Sequence, residues 1–228
     1  MLQKWGTWKL VNRLKYHKVI GRHWLYVIKY GPNSNILCYK ARLIAQGYSQ
    51  IPGLDYSDMF SPTVWLNSLW VILHYTAAHG WYCGQDDVTG AFLHSKINHT
   101  IYIYQFDGFD DGSGCVAALL LSLYGIKQGS HLWNKHMNQK LTANSFIHLL
   151  PDYAVYIRQT ETGKSITTIH INNALTIASN PDYCWWRTAL LQMKTRSRWH
   201  KSCFIKYLTP FPGSLSCPVP ISHLLPAT

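Results

Sequence analysis

Acidic residues are scarce in this sequence. Asp and Glu together number 10 in 228 residues, Lys and Arg number 21, and the formal net charge is +11. Residues 1–45 carry nine of the basic residues and no acid, whereas residues 46–180 carry six against nine acids. The imbalance argues against an anionic surface and favours a polyanion as partner, because clustered cations attract phosphates. A solvated basic surface without a ligand is the alternative interpretation.

Three other signals are missing. The start, Met1–Lys4, leads into no apolar segment of the kind found in a signal peptide. The longest apolar run, Val116–Leu121, is far too short to span a bilayer. The six cysteines show no C-x-x-C spacing, which indicates neither a zinc site nor a disulfide framework. We therefore expect free thiols, no membrane partner and an intracellular location in the cytoplasm or nucleus.

Hydrophobic residues make up 47% of the chain, which is ample for a core. Alternating apolar residues and Gly/Pro/Asn turns predict seven strands, at 5–11, 23–30, 36–45, 101–105, 152–159, 165–171 and 175–178. The first three are expected to form one small antiparallel sheet. Helical periodicity predicts helices at 67–78 and 130–143. The expected fold class is α+β.

One short stretch, Gln85–His94, combines two kinds of chemistry. It reads Q-D-D-V-T-G-A-F-L-H, with acids after an apolar run and small residues in the turn that follows. A carboxylate suits a hard metal ion, and the backbone amides of an uncrowded turn suit phosphates. The plainer alternative is a strand that ends in a surface acid pair, since short motifs often match by chance.

Four stretches, in this order along the chain, resemble copia-type LTR retrotransposon reverse transcriptases. They are Tyr39–Gly47 (Y-K-A-R-L-I-A-Q-G), Asp87–His94 (D-V-T-G-A-F-L-H), Leu123–Gln128 (L-Y-G-I-K-Q) and His170–Asn173 (H-I-N-N). The resemblance covers roughly residues 5–180 and implies an RNA-dependent DNA polymerase with a right-hand fold. That fold has fingers and a palm whose antiparallel sheet is backed by helices, with the thumb missing or degenerate here. The expected divisions are a fingers-like part at 1–66, a palm with interleaved fingers segments at 67–180, and a degenerate or disordered tail at 181–228.

The resemblance also assigns roles to individual residues. Asp87 would be the first metal-binding carboxylate, and Lys40 and Arg42 would reach the triphosphate of the incoming dNTP. Phe92 would lie under the deoxyribose, and Gln128 would help to position the nucleotide and the template base. The structural alternatives are two exposed edge-strand charges, a core aromatic and a polar residue at a helix start, respectively.

The resemblance breaks down at one chemically decisive place. Asn172 and Asn173 stand where the family has its second and third catalytic carboxylates. Asn offers magnesium one neutral oxygen, so the two Mg²⁺ ions of nucleotidyl transfer would lose two anionic ligands. We expect a degenerate copy without polymerase activity, in which magnesium binding is doubtful. The alternatives are a non-catalytic module that binds the RNA/DNA template-primer, and a polymerase whose metal is held by other groups.

Two further departures affect single positions. Asp86 occupies a position that is usually apolar in the family, so no ligand role is assigned to it. Trp65 and Trp70 stand where the family commonly has basic residues. We interpret the two tryptophans as damage or as core filling.

Overall fold

The computed structural model describes residues 2–180 and, for the backbone, 195–201. By the clustering of its contacts the chain divides into two compact units. Unit 1 comprises Met1–Ser61 and Gly90–Asn138, and unit 2 comprises Pro62–Thr89 and Gln139–Thr228. The described part contains strands and two α-helices, in agreement with the α+β class. Neither of those helices combines the length and the apolar character needed to cross a bilayer.

Unit 1 contains six strands in two sheets. They are β1 (Trp8–Val11), β2 (Val19–Ile20), β3 (Arg22–Tyr30), β4 (Ile36–Ala45), β6 (Tyr102–Tyr104) and β7 (Val116–Leu119). One sheet has the order β1-β7-β6-β2, and the other is the β3–β4 hairpin alone. Buried apolar residues from the four-stranded sheet, the end of β4 and the segment around Leu93 share one core.

The predicted three-stranded sheet at the N-terminus is wrong. The strand predicted at 5–11 is shorter, and it pairs antiparallel with β7 instead of with the hairpin. Trp8 explains the choice, because its ring makes an edge-on contact with Phe106 at 4.4 Å between centroids and thereby packs on the shared core. The hairpin itself has the predicted strands and the predicted turn at residues 31–35.

Unit 2 is built on a six-stranded sheet and helix α1 (Leu66–His79). The strands are β5 (Tyr82–Val88), β8 (Ile147–His148), β9 (Val155–Thr160), β10 (Gly163–His170), β11 (Asn173–Ala178) and β12 (Thr195–Lys201), in the order β12-β5-β11-β10-β9-β8. Helix α1 ends at Gly80, whose φ of 63° is the left-handed conformation expected of a terminating glycine. Ile72 of α1 packs with Val155 and Ile177 of the sheet.

The helix predicted at 130–143 is α2 (Gly129–Thr142), which continues from unit 1 into unit 2. Its end carries the two hydrogen bonds of a Schellman motif, Phe146 N–H to the Leu141 carbonyl at 3.1 Å and Ser145 N–H to the Thr142 carbonyl at 3.0 Å. This motif needs a left-handed residue, and Ser145 supplies it with a φ of 63°.

The predicted tail at 181–228 falls largely outside the described residues, at 181–194 and 202–228. Within it, Thr195–Lys201 forms strand β12, which the sequence did not predict and which pairs with β5. The predicted limits of 1–66 and 67–180 stay a prediction. The two compact units interleave along the chain, since Gly90–Asn138 returns to the unit that begins at residue 1.

Trp65 and Trp70 do not fill the core. Their side chains are 62% and 53% exposed, at and near the start of α1. Core filling is therefore wrong for both residues, and no packing reason for either tryptophan is found in this structure.

Candidate active site

Asp87 and the two asparagines come together in unit 2. Asp87 is the next-to-last residue of β5, and the register of the antiparallel pair places Asn173 of β11 directly opposite it. Directly opposed residues share one face of a sheet, with Cβ atoms about 4.5–5.5 Å apart. The proximity of these positions is therefore a property of the strand register.

A strained turn holds Asn172 beside the same carboxylate. The β10–β11 turn consists of Ile171 and Asn172, because β10 ends at His170 and Asn173 already belongs to β11. Ile171 has a φ of 55°, an outlier for a β-branched residue. The Val88 N–H donates to the Asn172 carbonyl at 2.9 Å and ties the turn to the end of β5. Strain of this kind persists only where the surrounding structure imposes it.

The side chain of Asn172 is bound to Asp87. Its Nδ2 donates a hydrogen bond to Asp87 Oδ1 at 2.6 Å, and both side chains are partly buried. A hydrogen bond to a charged group is stronger than one between neutral groups, by roughly a factor of two. One carboxylate oxygen is therefore occupied by an amide of this chain. On the other side of β5, the register of β12 places residue Arg196 opposite Asp87.

The neighbouring acid, Asp86, points to the other face of β5. Its exposed fraction is 1%, and it lies opposite Ala174 of β11. Successive residues of a strand face opposite sides of the sheet, so Asp86 and Asp87 do not form a pair of ligands. The sequence did not identify Asp86 as buried, because two adjacent acids look like a surface feature.

Cys83 lies three residues before Asp86 in β5, and burial raises the pKa of its thiol.

Two of the sequence motifs pack directly against each other in unit 1. The Ala45 N–H, at the end of Y-K-A-R-L-I-A-Q-G, donates to the Tyr124 carbonyl of L-Y-G-I-K-Q at 2.8 Å. A Cβ at Gly125 would lie 2.1 Å from the Ala45 carbonyl oxygen, and a Cβ at Gly47 would lie 2.0 Å from the Gly125 carbonyl oxygen. Both positions therefore require glycine, and Gly125 also has a φ of 91°.

The same packing connects two of the predicted nucleotide-binding residues. The Arg42 guanidinium carbon lies 5.8 Å from the centroid of the Tyr124 ring. The Tyr124 ring in turn meets Phe92 edge-on, with centroids 4.9 Å apart. Tyr124 is thus the bridge between Arg42 and Phe92, a role that the sequence did not predict although the tyrosine is part of the quoted motif. Phe92 is half-buried and lies outside the main cluster of buried core residues.

Lys40 and Arg42 lie on one face of β4, as their spacing predicts. Val27 is opposite Lys40 and Leu25 is opposite Arg42 on β3. Both basic side chains are half-buried, and Arg42 has an aromatic contact, so they differ from the fully exposed charges of the structural alternative. Their role in binding a triphosphate stays a prediction.

Gln128 is buried and its amide is occupied at both ends. Its exposed fraction is 0%, its Nε2 donates to the Asp55 carbonyl at 2.8 Å, and its Oε1 accepts from Gln50 Nε2 at 3.0 Å. Its own carbonyl accepts from the Leu132 N–H at 2.9 Å, which begins the hydrogen bonding of α2. In this conformation the side chain holds the loop at residues 50–55, so a nucleotide-positioning role stays a prediction and would act through that loop.

Comparison with known proteins identifies the family. The sequence profile described as "Reverse transcriptase (RNA-dependent DNA polymerase)" matches residues 5–194. The chain belongs to the reverse transcriptase family. The match continues beyond Asn180, where the resemblance of the motifs was expected to end. The copia-type assignment made from the motifs is confirmed by the relatives of this reverse transcriptase domain.

Those relatives are Pol polyproteins of transposons. The "Retrovirus-related Pol polyprotein from transposon RE1" of Arabidopsis thaliana is 32% identical over 180 residues, which are 77% of this chain and 12% of the relative. The corresponding protein from transposon RE2 of the same plant is 32% identical over 150 residues, 65% of this chain and 10% of the relative. That from transposon TNT 1-94 of Nicotiana tabacum is 30% identical over 182 residues, 78% of this chain and 14% of the relative. The reverse transcriptase domain thus spans a small part of each polyprotein's length.

The residues around Asp87 are a poor match to a pair of magnesium ions. Magnesium prefers carboxylate and water oxygens in octahedral geometry. The site has one carboxylate, Asp87, and the two amides of Asn172 and Asn173, and the Asn172 amide N–H group already points at one of the two carboxylate oxygens. Within the described residues, no group of three or more His, Cys, Asp or Glu side chains is arranged to hold a metal ion.

Proposed function

We propose that this chain is a reverse transcriptase domain of the right-hand type that does not catalyse nucleotidyl transfer. Unit 1 would correspond to fingers and unit 2 to the palm. The observation that carries the proposal is the 2.6 Å hydrogen bond from Asn172 to Asp87, at the position where the family has an acid. A site that needs three acids to gather two divalent cations has one acid here, and an amide of the chain is its partner.

The energetic argument supports the same conclusion. Each lost carboxylate removes one negative charge from a site that must hold four positive ones. At an effective dielectric constant of about 20, one charge pair about 4 Å apart is worth roughly 4 kcal/mol before desolvation is counted. A single loss of that size slows a reaction by about a thousandfold, and two acids are replaced here.

A primer-extension assay tests the proposal. The purified chain is given a primed RNA template, dNTPs and Mg²⁺, and the Asp87→Asn variant serves as the blank. We expect the chain and the blank to give the same absence of product. Synthesis that requires magnesium and is lost in Asp87→Asn would overturn the proposal, because it would show that Asp87 recruits catalytic metal without carboxylates at 172 and 173.

The second candidate function is binding of an RNA/DNA template-primer without catalysis. It is favoured by the basic face formed by Lys40 and Arg42 and by the absence of any acid in residues 1–45. Phosphate contacts by cations make affinity fall steeply with salt. In a salt-titrated gel shift, we expect Lys40→Ala/Arg42→Ala to lower the slope of log affinity against log salt by about 2. The exposed Lys9, changed to Ala, should lower it by at most about 1.

A further inference from the structure

Helix α1 turns an apolar surface to solvent in unit 2. Ile72 on its buried side packs on the sheet, whereas Leu66, Trp70 and Val71 on the remaining sides are exposed. Leu66 and Trp70 are four residues apart, so they are neighbours on the helix surface, and the exposed Trp65 directly precedes the helix. A surface helix usually turns polar residues outward, so this arrangement is unusual for a helix that faces only water.

A neighbouring loop extends this surface. The backbone N–H of Trp65 donates to Asp152 Oδ2 at 2.9 Å, which holds the loop that contains Asp152 beside the start of α1. Asp152 is buried, and its other carboxylate oxygen accepts from the Ala154 N–H at 3.1 Å. Leu150 and Tyr153 of the same loop are exposed. We call the combined surface the α1 patch, which consists of Trp65, Leu66, Trp70, Val71, Leu150 and Tyr153.

The α1 patch has the size of a protein interface. Its six residues are each between 53% and 73% exposed. Together they present roughly 700 Å² to solvent, of which the three aromatic residues contribute about half. A standard interface takes about 800 Å² from each partner, whereas the largest apolar patch of a monomeric protein is typically about 300–600 Å². Tryptophan and tyrosine are also enriched among the residues that contribute most to such contacts.

The charge of the α1 patch restricts what can cover it. Residues 59–85 contain no Asp, Glu, Lys or Arg, although the chain has a net charge of +11. A polyanion would find no cation among the residues of the patch, and a basic partner would find no exposed acid. A second copy of the chain presents the same uncharged surface, and in a two-fold dimer this surface meets itself without burying a charge. On surfaces rich in cations, by contrast, two copies repel each other.

We propose that two copies of this chain associate through the α1 patch, with Trp65 and Trp70 as the main contacts. By the resemblance of the motifs, these two residues stand where the family commonly has basic residues. Basic side chains would repel their symmetry mates across a two-fold axis, and indole rings attract theirs by burying apolar area. The inference gives both tryptophans a role that the core does not, and it does not depend on whether the domain binds nucleic acid.

Sedimentation velocity of the full chain, at concentrations between about 1 and 100 µM, tests the inference. We expect a transition from the mass of one chain to the mass of two chains within this range. The dimer should become more stable when NaCl is raised from about 0.1 to 0.5 M, because salt screens the repulsion between two chains of charge +11. This direction is opposite to that of an association held by ion pairs, which salt weakens.

Variants locate the contact. Trp65→Lys/Trp70→Lys should raise the dimer Kd by at least about a hundredfold, because each indole is lost twice in a two-fold interface. Leu150→Lys should raise it by about tenfold, and this loop variant makes the test independent of changes in α1. Tyr26→Lys/Tyr39→Lys is the matched control, because it replaces two aromatics that are 71% and 74% exposed in unit 1 with the same change of charge. It should leave the Kd unchanged, and a circular-dichroism melt should show that all variants fold.

Several outcomes would overturn the inference. One is a parent chain that remains a monomer up to about 100 µM. Another is a dimer that the α1 and hairpin variants weaken equally, or that salt weakens, because the contact would then depend on charge or on another surface. A monomeric parent that binds phosphatidylcholine vesicles, and loses this binding in Trp65→Lys/Trp70→Lys, would assign the patch to a lipid surface instead.

Discussion

Replacing Asn172 and Asn173 with aspartate is expected to make the stability of this chain depend on magnesium. The parent has one carboxylate at the turn, held by a 2.6 Å hydrogen bond from the Asn172 amide. The double variant would have three carboxylates, one on β5, one in the β10–β11 turn and one on β11, and no amide donor. Without a divalent cation these charges repel one another, and with one they become ligands.

The size of the effect follows from the register. Asp87 and residue 173 are directly opposed, so their charges would lie about 5 Å apart and would repel by on the order of 3 kcal/mol at an effective dielectric constant of 20. The lost hydrogen bond to a charged acceptor adds roughly 1.5–3 kcal/mol. Partial protonation relieves some of the repulsion, so we expect a net loss of about 3–5 kcal/mol. For a chain of this size, that corresponds to a Tm lower by roughly 6–20 °C.

Differential scanning fluorimetry with and without Mg²⁺ measures the effect without any need for activity. If the restored site binds magnesium with a Kd near 0.1 mM, 10 mM Mg²⁺ returns about 2.7 kcal/mol. The Tm of the double variant should then rise by at least about 5 °C, and that of the parent by less than about 1 °C. Asn33→Asp/Asn98→Asp adds the same two charges at exposed positions of unit 1 and should respond as the parent does.

Two results would refute this reasoning. If the double variant without metal melted at the parent's temperature, the three positions would not be in electrostatic contact. If magnesium raised the Tm of the parent and of the double variant equally, the amides would already allow metal binding. The second result would also remove the main support for a non-catalytic domain.

Three smaller predictions concern the framework. Gly125→Ala should reduce the free energy of unfolding in urea by at least about 2 kcal/mol more than Gly53→Ala. Both glycines have a positive φ (91° and 78°), but only at Gly125 would an added Cβ meet backbone, at 2.1 Å. Equal losses of stability in the two variants would contradict the close packing at Gly125. Ser145→Gly should stabilise by about 1 kcal/mol in the same assay, because the left-handed φ of 63° at the end of α2 suits glycine. Burial raises the pKa of Tyr156 from 10.0 to about 12, so its neutral hydroxyl favours the folded state, and stability should fall as pH rises through this interval. Tyr156→Phe should flatten that fall when urea unfolding is measured at pH 9 and at pH 11.

Local signals predicted local structure well. The β3–β4 hairpin was predicted from alternating apolar residues and a Gly-Pro-Asn turn, and α1 from helical periodicity that ends at Gly80. In both elements the backbone conformation is determined by residues that are neighbours in sequence. The partner of β1 was missed, because a four-residue strand carries no information on which distant strand it joins. The aromatic packing of Trp8 on Phe106 supplies that information only after folding.

The candidate site likewise has features that the sequence shows and features that only the fold determines. The sequence alone shows that Asn stands at 172 and 173 in place of Asp and that the N-terminal segment is basic. These features can be read directly, because the charge of a side chain does not depend on the fold. Only the register between β5 and β11 decides that residue 173 is opposite Asp87, and only the strained turn at Ile171 brings the Asn172 amide to the carboxylate. The fold also buries Asp86 while Asp87 stays partly exposed, and it engages the side-chain amide of Gln128 in hydrogen bonds. The sequence does not reveal these features, because solvent access and hydrogen-bond partners arise from residues that are distant in sequence.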